Sequence, residues 1–148
     1  MAVESFSGLI QRHNMMIGIL VCALLTSILF IIMLPFGFLY VEYILLIVGN
    51  FFGLYLTFKY RKELQSPIKT GIIVGLTGSV LALFLMSLFY WILISVAYGF
   101  DFILFLIYIL IFFGYYGIIY VLIGIIVGYL FGNYYRKKED IDRESPIF

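Results

Sequence analysis

Residues 15–34 read MMIGILVCALLTSILFIIML, an apolar run without a charged side chain. An α-helix needs about 20 such residues to cross the hydrocarbon of a bilayer. The whole chain is 65% hydrophobic and 11% charged, whereas charged residues make up about 25% of a soluble domain. We therefore predict an integral membrane protein. The net charge of +1 provides no basic surface for binding nucleic acid.

Three more apolar runs follow the first. The second covers residues 39–58, the third starts after Lys69 and stays apolar to Gly99, and the fourth covers residues 102–135. We expect the first run to be a retained span, because it holds no small-residue cleavage site. The predicted fold class is all-α, a single membrane domain over residues 1–148 with four transmembrane helices.

The basic residues predict the orientation of these spans. They occur in the N-terminal segment, between the second and third runs, and after the fourth run, and the other two connections hold none. The positions are Arg12; Lys59, Arg61, Lys62 and Lys69; and Arg136, Lys137, Lys138 and Arg143. Because basic segments stay on the cytoplasmic side, we predict a multi-pass protein of the cell membrane with both termini in the cytoplasm.

The second and fourth runs resemble each other. GNFFGLYLT at residues 49–57 aligns with GIIVGYLFG at residues 124–132, and the register continues into Tyr60-Arg61-Lys62 over Tyr135-Arg136-Lys137. A repeat of this length indicates a duplicated structural unit.

The first and third runs align as well, less closely, through GILVC at residues 18–22 and GIIVG at residues 71–75. We interpret the chain as an internal repeat of two tandem in-out-in hairpins. The predicted segments are the first hairpin, 15–58; a basic cytoplasmic loop, 59–69; the second hairpin, 70–135; and a charged cytoplasmic tail, 136–148.

The second hairpin is longer on its outer side. Its aligned glycines are 53 positions apart, against 31 in the first hairpin, an excess of 22. Spans of about 20 residues would surface near Tyr90-Trp91 and Tyr115-Tyr116, which leaves the apolar residues 92–114 outside. Three interpretations are open: strongly tilted long helices, a re-entrant segment, or helical arms projecting about 15 Å beyond the membrane. We favour long helices that pack against another copy or subunit.

Glycines recur at helical spacing in every span, and in lipid such stripes let helices approach closely, as in a glycine zipper. The predicted packing residues are Gly18, Gly49, Gly53, Gly71, Gly75, Gly78, Gly117, Gly124, Gly128 and Gly132. Packing inside the four-helix bundle is the simpler interpretation. The alternative is a homo-oligomeric seam along the third or fourth span.

Few polar side chains lie within the runs. Glu42 lies near the outer end of the second span, where it can snorkel to the interface or serve a proton- or cation-linked role. Asn50, at mid-span, is expected to bond to Thr77 or Ser79 of the third span. These four residues are the candidate polar path of a small channel or carrier. Asp101 is predicted to belong to the outer turn.

No catalytic, cofactor-binding or metal-binding set is recognisable. His13 is the one histidine and Cys22 the one cysteine, too few for a metal site or a nucleophilic triad. We predict a non-enzymatic protein without a cofactor, whose partners are membrane lipid and a second copy or another membrane subunit. A lipid-modifying enzyme would need Glu42, Asp101 and tyrosine hydroxyls together in one pocket.

The paired glycine-bearing hairpins, with their endings Tyr60-Arg61-Lys62 and Tyr135-Arg136-Lys137, resemble those of small archaeal membrane proteins of unknown function that have four helices and two glycine-zipper hairpins. The likeness covers about residues 15–135, except for the extra outer residues. It implies a four-helix membrane fold and no particular activity. In size the chain also resembles small four-helix multidrug exporters. Those proteins have a carboxylate in the middle of their first span, whereas residues 15–34 of this chain have none.

Overall fold

A computed structural model describes residues 13–33, 41–60 and 66–144. These residues form helices and no strand. The helices are α1 (Asn14–Met33), α2 (Val41–Lys59), α3 (Pro67–Tyr98), α4 (Phe102–Tyr115) and α5 (Gly117–Glu144). Four of them, α1, α2, α3 and α5, are long and apolar enough to cross a membrane. The predicted all-α class and the four candidate spans are therefore confirmed.

The residues behind the predicted orientation are only partly described. Arg12, Arg61 and Lys62 lie outside the described residues, as does the side chain of Arg143. Lys59 and Lys69 lie at one end of the bundle together with Arg136, because α2 ends, α3 begins and the apolar part of α5 ends there. We call this the basic end.

The ends of α3 follow from local backbone chemistry. Pro67 occupies the first turn, where a missing N–H breaks no helical hydrogen bond. At the other end Gly99 has φ 96°, which glycine adopts without the steric cost of a Cβ atom. The Gly99 N–H still donates to the carbonyl oxygen of Ser95, at 3.0 Å. The turn then passes to Asp101, whose carboxylate caps α4 by accepting from the N–H of Ile103, at 2.8 Å.

The fourth apolar run consists of two consecutive helices, α4 and α5. Tyr116 separates α4 from α5, yet its N–H donates to the carbonyl of Phe112 and its own carbonyl accepts from the N–H of Tyr120, both at 2.9 Å. The helical bonding thus continues through the junction. Gly114 and Gly117 flank the junction.

Helices α1 and α2 pack antiparallel through small residues. Gly18 lies against Gly53 and Thr57, while Gly49 lies against Thr26. A Cβ atom built on Gly18 or on Gly49 would overlap the threonine hydroxyl opposite. In these contacts, residues later in α1 meet residues earlier in α2, so the two helices run in opposite directions.

Helices α3 and α5 form a second antiparallel pair. Gly71 lies against Gly128, and Gly75 lies against Gly124. A Cβ on any of these four would overlap the backbone carbonyl oxygen of its partner. The backbones are therefore in direct contact, which requires glycine on both sides. Gly132 approaches the start of α3 in the same way.

The two pairs meet across α1 and α3. A Cβ atom on Gly78 would lie 2.8 Å from the sulfur of Cys22, and that sulfur is buried. Ser27 of α1 also reaches the carbonyl oxygen of Ala82, at 3.5 Å. Of the ten predicted packing glycines, Gly117 is the exception, since its nearest contact would be the Phe113 Cβ at 3.9 Å.

Two clusters of buried side chains fill the bundle. The smaller lies towards the basic end and consists of Leu54, Phe58 and Val74. The larger consists of Ala23, Leu46, Ala82, Leu83, Met86, Phe112 and Tyr120. All five helices contribute to the larger cluster, so it holds α4 to the rest of the molecule.

Candidate functional site

A polar contact lies between the two clusters, because Leu46 of the larger and Leu54 of the smaller cluster flank it along α2. Asn50 of α2 is 0% exposed, and its Nδ2 atom donates to the Ser79 hydroxyl and to the carbonyl oxygen of Leu46, both at 3.1 Å. The structure thus joins Asn50 to one of its two predicted partners. Among the described residues, no donor reaches the amide oxygen Oδ1 of Asn50. Such an unpaired buried acceptor costs about 1–3 kcal/mol.

Small residues make room for this contact. The Ser79 hydroxyl lies over Gly124 of α5, where a Cβ atom would overlap it. One position before Ser79, Gly78 faces Cys22 of α1. All four candidate spans therefore meet within one turn of Asn50, which is why its amide can act as a hydrogen-bonding centre of the bundle.

The other two members of the predicted polar path lie elsewhere. Thr77 is exposed and its hydroxyl donates to the carbonyl oxygen of Ile73, within its own helix. It lies only two positions from Ser79, which places it on a different face of α3. Glu42 is half-buried in the first turn of α2, two turns from Asn50, or about 12 Å along the helix. The structure thus brings together Asn50 and Ser79 alone.

A further polar contact lies nearer the basic end, and the sequence analysis missed it. Asn14, the first residue of α1, is buried, and its Nδ2 atom donates to the carbonyl oxygen of Thr57 at 3.2 Å. The Thr57 hydroxyl donates back along α2 to the carbonyl of Gly53, at 2.9 Å. The one sequence feature that pointed to this contact was an asparagine directly before the first apolar residue. Asparagine is equally common at helix ends that face water, so its position did not predict burial.

At the opposite end of the bundle, three tyrosine rings meet. The ring centroids of Tyr43, Tyr116 and Tyr120 are 6.1–6.2 Å apart. The fully buried Tyr120 donates its hydroxyl to the backbone carbonyl of Glu42, at 3.3 Å. This hydrogen bond links the start of α2 to the first turn of α5.

Asp101 lies in a different environment from Glu42. It caps α4, and its backbone carbonyl accepts a hydrogen bond from the indole Nε1 of Trp91, at 2.8 Å. The contacts of Asp101 are within the α3–α4 turn and with Trp91, while the backbone carbonyl of Glu42 accepts from Tyr120 of α5. The single pocket of two carboxylates and tyrosines that a lipid-modifying enzyme would need is not formed by these described residues.

Helix α3 reaches well past its neighbour α1. The two helices run parallel, and Ser27 of α1 lies beside Ala82 of α3. Because both helices rise equally per residue, Met33, the last residue of α1, lies beside residue 88 of α3. Residues 89–98 then extend about 15 Å beyond the end of α1. Helix α3 is thus a long helix of 32 residues, and its packing against another copy or subunit stays a prediction.

Helix α4 folds back against this end of α3. The ring of Phe105 lies 5.1 Å from that of Trp91 and 6.3 Å from that of Phe84. Tyr108 lies 5.1 Å from Tyr90, and Phe112 enters the larger core cluster. We call residues 92–115, the end of α3 with its turn and α4, the α3–α4 extension.

The surface of the α3–α4 extension is apolar and uncovered by the described chain. Phe112 is the one buried residue of α4. Val96 and Tyr98 are each 84% exposed, Phe100 is 80% exposed and Leu110 is 72% exposed. Asp101 is the only charged residue in the segment.

The described part of the chain holds no group of three His, Cys, Asp or Glu side chains that could bind a metal ion. Comparison with protein-family models, with curated proteins and with solved structures found no match to this chain. The resemblance to small archaeal membrane proteins therefore stays a prediction.

Proposed function

We propose that this chain is a non-enzymatic multi-pass membrane protein that acts through helix packing, as a homo-oligomer or as an accessory subunit of a larger membrane complex. The exposed surface of the α3–α4 extension is the observation that supports this function. On the predicted topology this surface lies beyond the outer face of the membrane, and an apolar surface that lipid does not cover marks an interaction site.

The glycines favour the α3–α4 extension over the spans as the contact surface. Nine of the ten predicted packing glycines lie against a neighbouring helix of the same chain, and their close approaches are used inside the bundle. A homo-oligomeric contact along the third or fourth span would need these same glycines. Among the described residues, the extension contacts α1 and α3 through the aromatic rings of Phe100, Phe105, Tyr108 and Phe112 and through the Asp101 carbonyl, and none of these contacts involves a glycine.

The proposal includes two tandem in-out-in hairpins in the cell membrane, with both termini in the cytoplasm. The clustering of Lys59, Lys69 and Arg136 at one end supports this orientation through the preference of basic residues for the cytoplasm. Aligned positions of the repeat also make equivalent contacts: Gly18 meets Gly53, as Gly71 meets Gly128. This equivalence supports the duplication.

Molecular mass in nanodiscs tests the proposed association. We expect a dimer or larger assembly, or a co-purifying membrane subunit. The variant Leu110→Asn places an amide on the extension and should release a monomer, because a polar group there cannot be satisfied in an apolar contact. Ile126→Asn, on the exposed face of α5 (55% exposed), is the matched control and should leave the assembly unchanged.

A disulfide cross-link tests for a second copy. Cys22 is the only native cysteine and is 0% exposed, so a thiol introduced by Leu110→Cys is the reactive one. In a homo-oligomer it should form a covalent dimer on oxidation, whereas Ile126→Cys should not. A wild-type protein that stays monomeric without a co-purifying subunit would contradict the proposal.

The second candidate is a small channel or carrier with a polar path through Glu42, Asn50, Thr77 and Ser79. One observation favours it: the unpaired Oδ1 atom of the buried Asn50, which could bind a passing cation or water. Cation flux into liposomes should then fall at least tenfold in Asn50→Leu and in Glu42→Gln. Flux that is absent in the wild type, or unchanged in both variants, would end this candidate.

A further inference from the structure

A groove of about 510 Å³ runs along the seam between α2 and α5 near the basic end. Its walls are Phe51 and Tyr55 of α2, and Leu130, Phe131, Tyr134 and Tyr135 of α5. Its volume falls within the range of ligand sites, about 300–1,000 Å³. The groove does not involve the α3–α4 extension, so it is independent of the association proposed above.

Aromatic side chains explain why the groove exists. Within the α1–α2 pair and within the α3–α5 pair, glycines bring the helix backbones into contact. Between α2 and α5, the ring of Phe51 meets that of Phe131 at 5.1 Å, and Phe58 stacks on Tyr135 at 4.5 Å. Rings of this size hold the two helices apart. The seam between the two glycine-packed pairs is therefore an open cleft.

Along each wall the side chains change in a fixed order towards the basic end. On α2, Phe51, Tyr55 and Lys59 follow one another four positions apart. Residues at this spacing share a face of a helix. The Lys59 ammonium lies 6.0 Å from the centroid of the Tyr55 ring, which places the charge at the end of the groove.

The α5 wall has the same order. Leu130 and Phe131 are followed one turn later by Tyr134 and Tyr135, and Lys138 comes four positions after Tyr134. Both Lys59 and Lys138 are exposed. Each wall thus passes from apolar side chains to phenol hydroxyls and then to an ammonium group.

We propose that this groove is a binding site for an anionic phospholipid. An acyl chain lies between Phe51, Leu130 and Phe131, the ester region lies beside the tyrosine hydroxyls, and the phosphate lies between Lys59 and Lys138. The order of groups on the walls matches the order of groups in the lipid. Basic clefts between transmembrane helices bind anionic headgroups by the same attraction.

A second groove on the same molecule has no lysine at its end among the described residues, and it serves as a comparison for the first. It is lined by Leu76, Thr77, Val80, Leu81, Phe84 and Phe113 and has a similar volume, about 470 Å³. Its nearest lysine on α3 is Lys69, two turns from Thr77, or about 12 Å. We expect ordinary lipid contact there, without a preference for anionic headgroups.

Native mass spectrometry of the full chain, purified in detergent, tests the site. The probes are phosphatidylglycerol and phosphatidylcholine with identical acyl chains. The wild type should prefer phosphatidylglycerol, and the double variant Lys59→Gln/Lys138→Gln should lose this preference, by about fivefold for each lysine. The control Lys69→Gln removes a lysine at the same end but outside the groove, and should retain it. Lys59→Arg/Lys138→Arg keeps both charges and should behave as the wild type.

Two further arms test the acyl chain. Leu130→Trp fills the groove and should weaken binding of both lipids, whereas Leu20→Trp, on the exposed face of α1, should not. Glycerol phosphate, which has no acyl chain, should fail to displace the bound lipid at millimolar concentration. Equal binding of the two lipids by the wild type, an equal loss in Lys69→Gln, or displacement by glycerol phosphate alone would each overturn the proposal.

Discussion

The closest contacts between α3 and α5 depend on missing side chains. Gly75 and Gly124 approach so closely that a methyl group on either would overlap the carbonyl oxygen of the other. Within a helix, alanine is otherwise preferred over glycine by about 1 kcal/mol. These positions therefore hold glycine for packing, against the local preference of the helix.

The first prediction concerns Gly75. Gly75→Ala should lower the free energy of unfolding by about 1–3 kcal/mol, because the added methyl group forces the two backbones apart. Thermal unfolding in detergent, followed by circular dichroism, measures it. Gly114→Ala is the control, since its Cβ would meet no atom within 4 Å, and it should be neutral or stabilising by up to about 1 kcal/mol. An equal loss in both variants would contradict the assigned packing.

The second prediction concerns the buried amide of Asn50. A double-mutant cycle of Asn50→Ala with Ser79→Ala should give a coupling energy of about 0.6–1.7 kcal/mol, the range found for hydrogen bonds between membrane helices. The matched cycle of Asn50→Ala with Thr77→Ala should give none, because the Thr77 hydroxyl bonds within its own helix. Coupling to Thr77 instead of Ser79 would show that α3 is rotated differently.

Of the five helices, α4 is the one whose own sequence says least about where it packs. It is apolar on all sides and is held by the Asp101 cap, by Trp91 and by the insertion of Phe112 into the core. Its backbone hydrogen bonds continue through Tyr116 into α5. The position of α4 thus depends on a few aromatic contacts.

The third prediction uses the single tryptophan of the chain. Trp91 is buried against Phe100 and Phe105, so its fluorescence reports on the α3–α4 turn. Phe105→Ala should shift the emission to longer wavelength and raise quenching by acrylamide, because water gains access to the indole. Leu110→Ala removes an exposed side chain of α4 and should leave the spectrum unchanged. No change in Phe105→Ala would place α4 elsewhere.

For the whole molecule, the fourth prediction concerns orientation. Phe100→Cys, combined with Leu110→Asn so that no partner covers the extension, places a thiol in the exposed α3–α4 turn, and Ser66→Cys places one before α3, at the basic end. In intact cells a membrane-impermeant maleimide should label the first, and it should label the second only after permeabilisation. The buried Cys22 should stay unlabelled in both. The reverse pattern would put the basic end outside and contradict the predicted topology.

Several features of this protein follow from the sequence by itself. The four candidate spans follow from the lengths of the apolar runs, because hydrophobic transfer depends on composition and not on neighbours. The ends of α3 follow from Pro67 and Gly99, through local backbone geometry. The pairing of Asn50 with the third span was also predictable, since a lone amide at mid-span needs a partner.

Other features were decided by the tertiary structure. The choice of Ser79 over Thr77 depends on the rotation of α3, and a helix that is apolar all round has no hydropathy pattern to specify that rotation. The return of α4 along the end of α3 depends on aromatic packing between the two helices. The groove between α2 and α5 exists because rings meet there, while glycines meet in the neighbouring seams. Such contacts depend on how the side chains of two different helices fit together. The hydropathy of each single run holds no information about that fit.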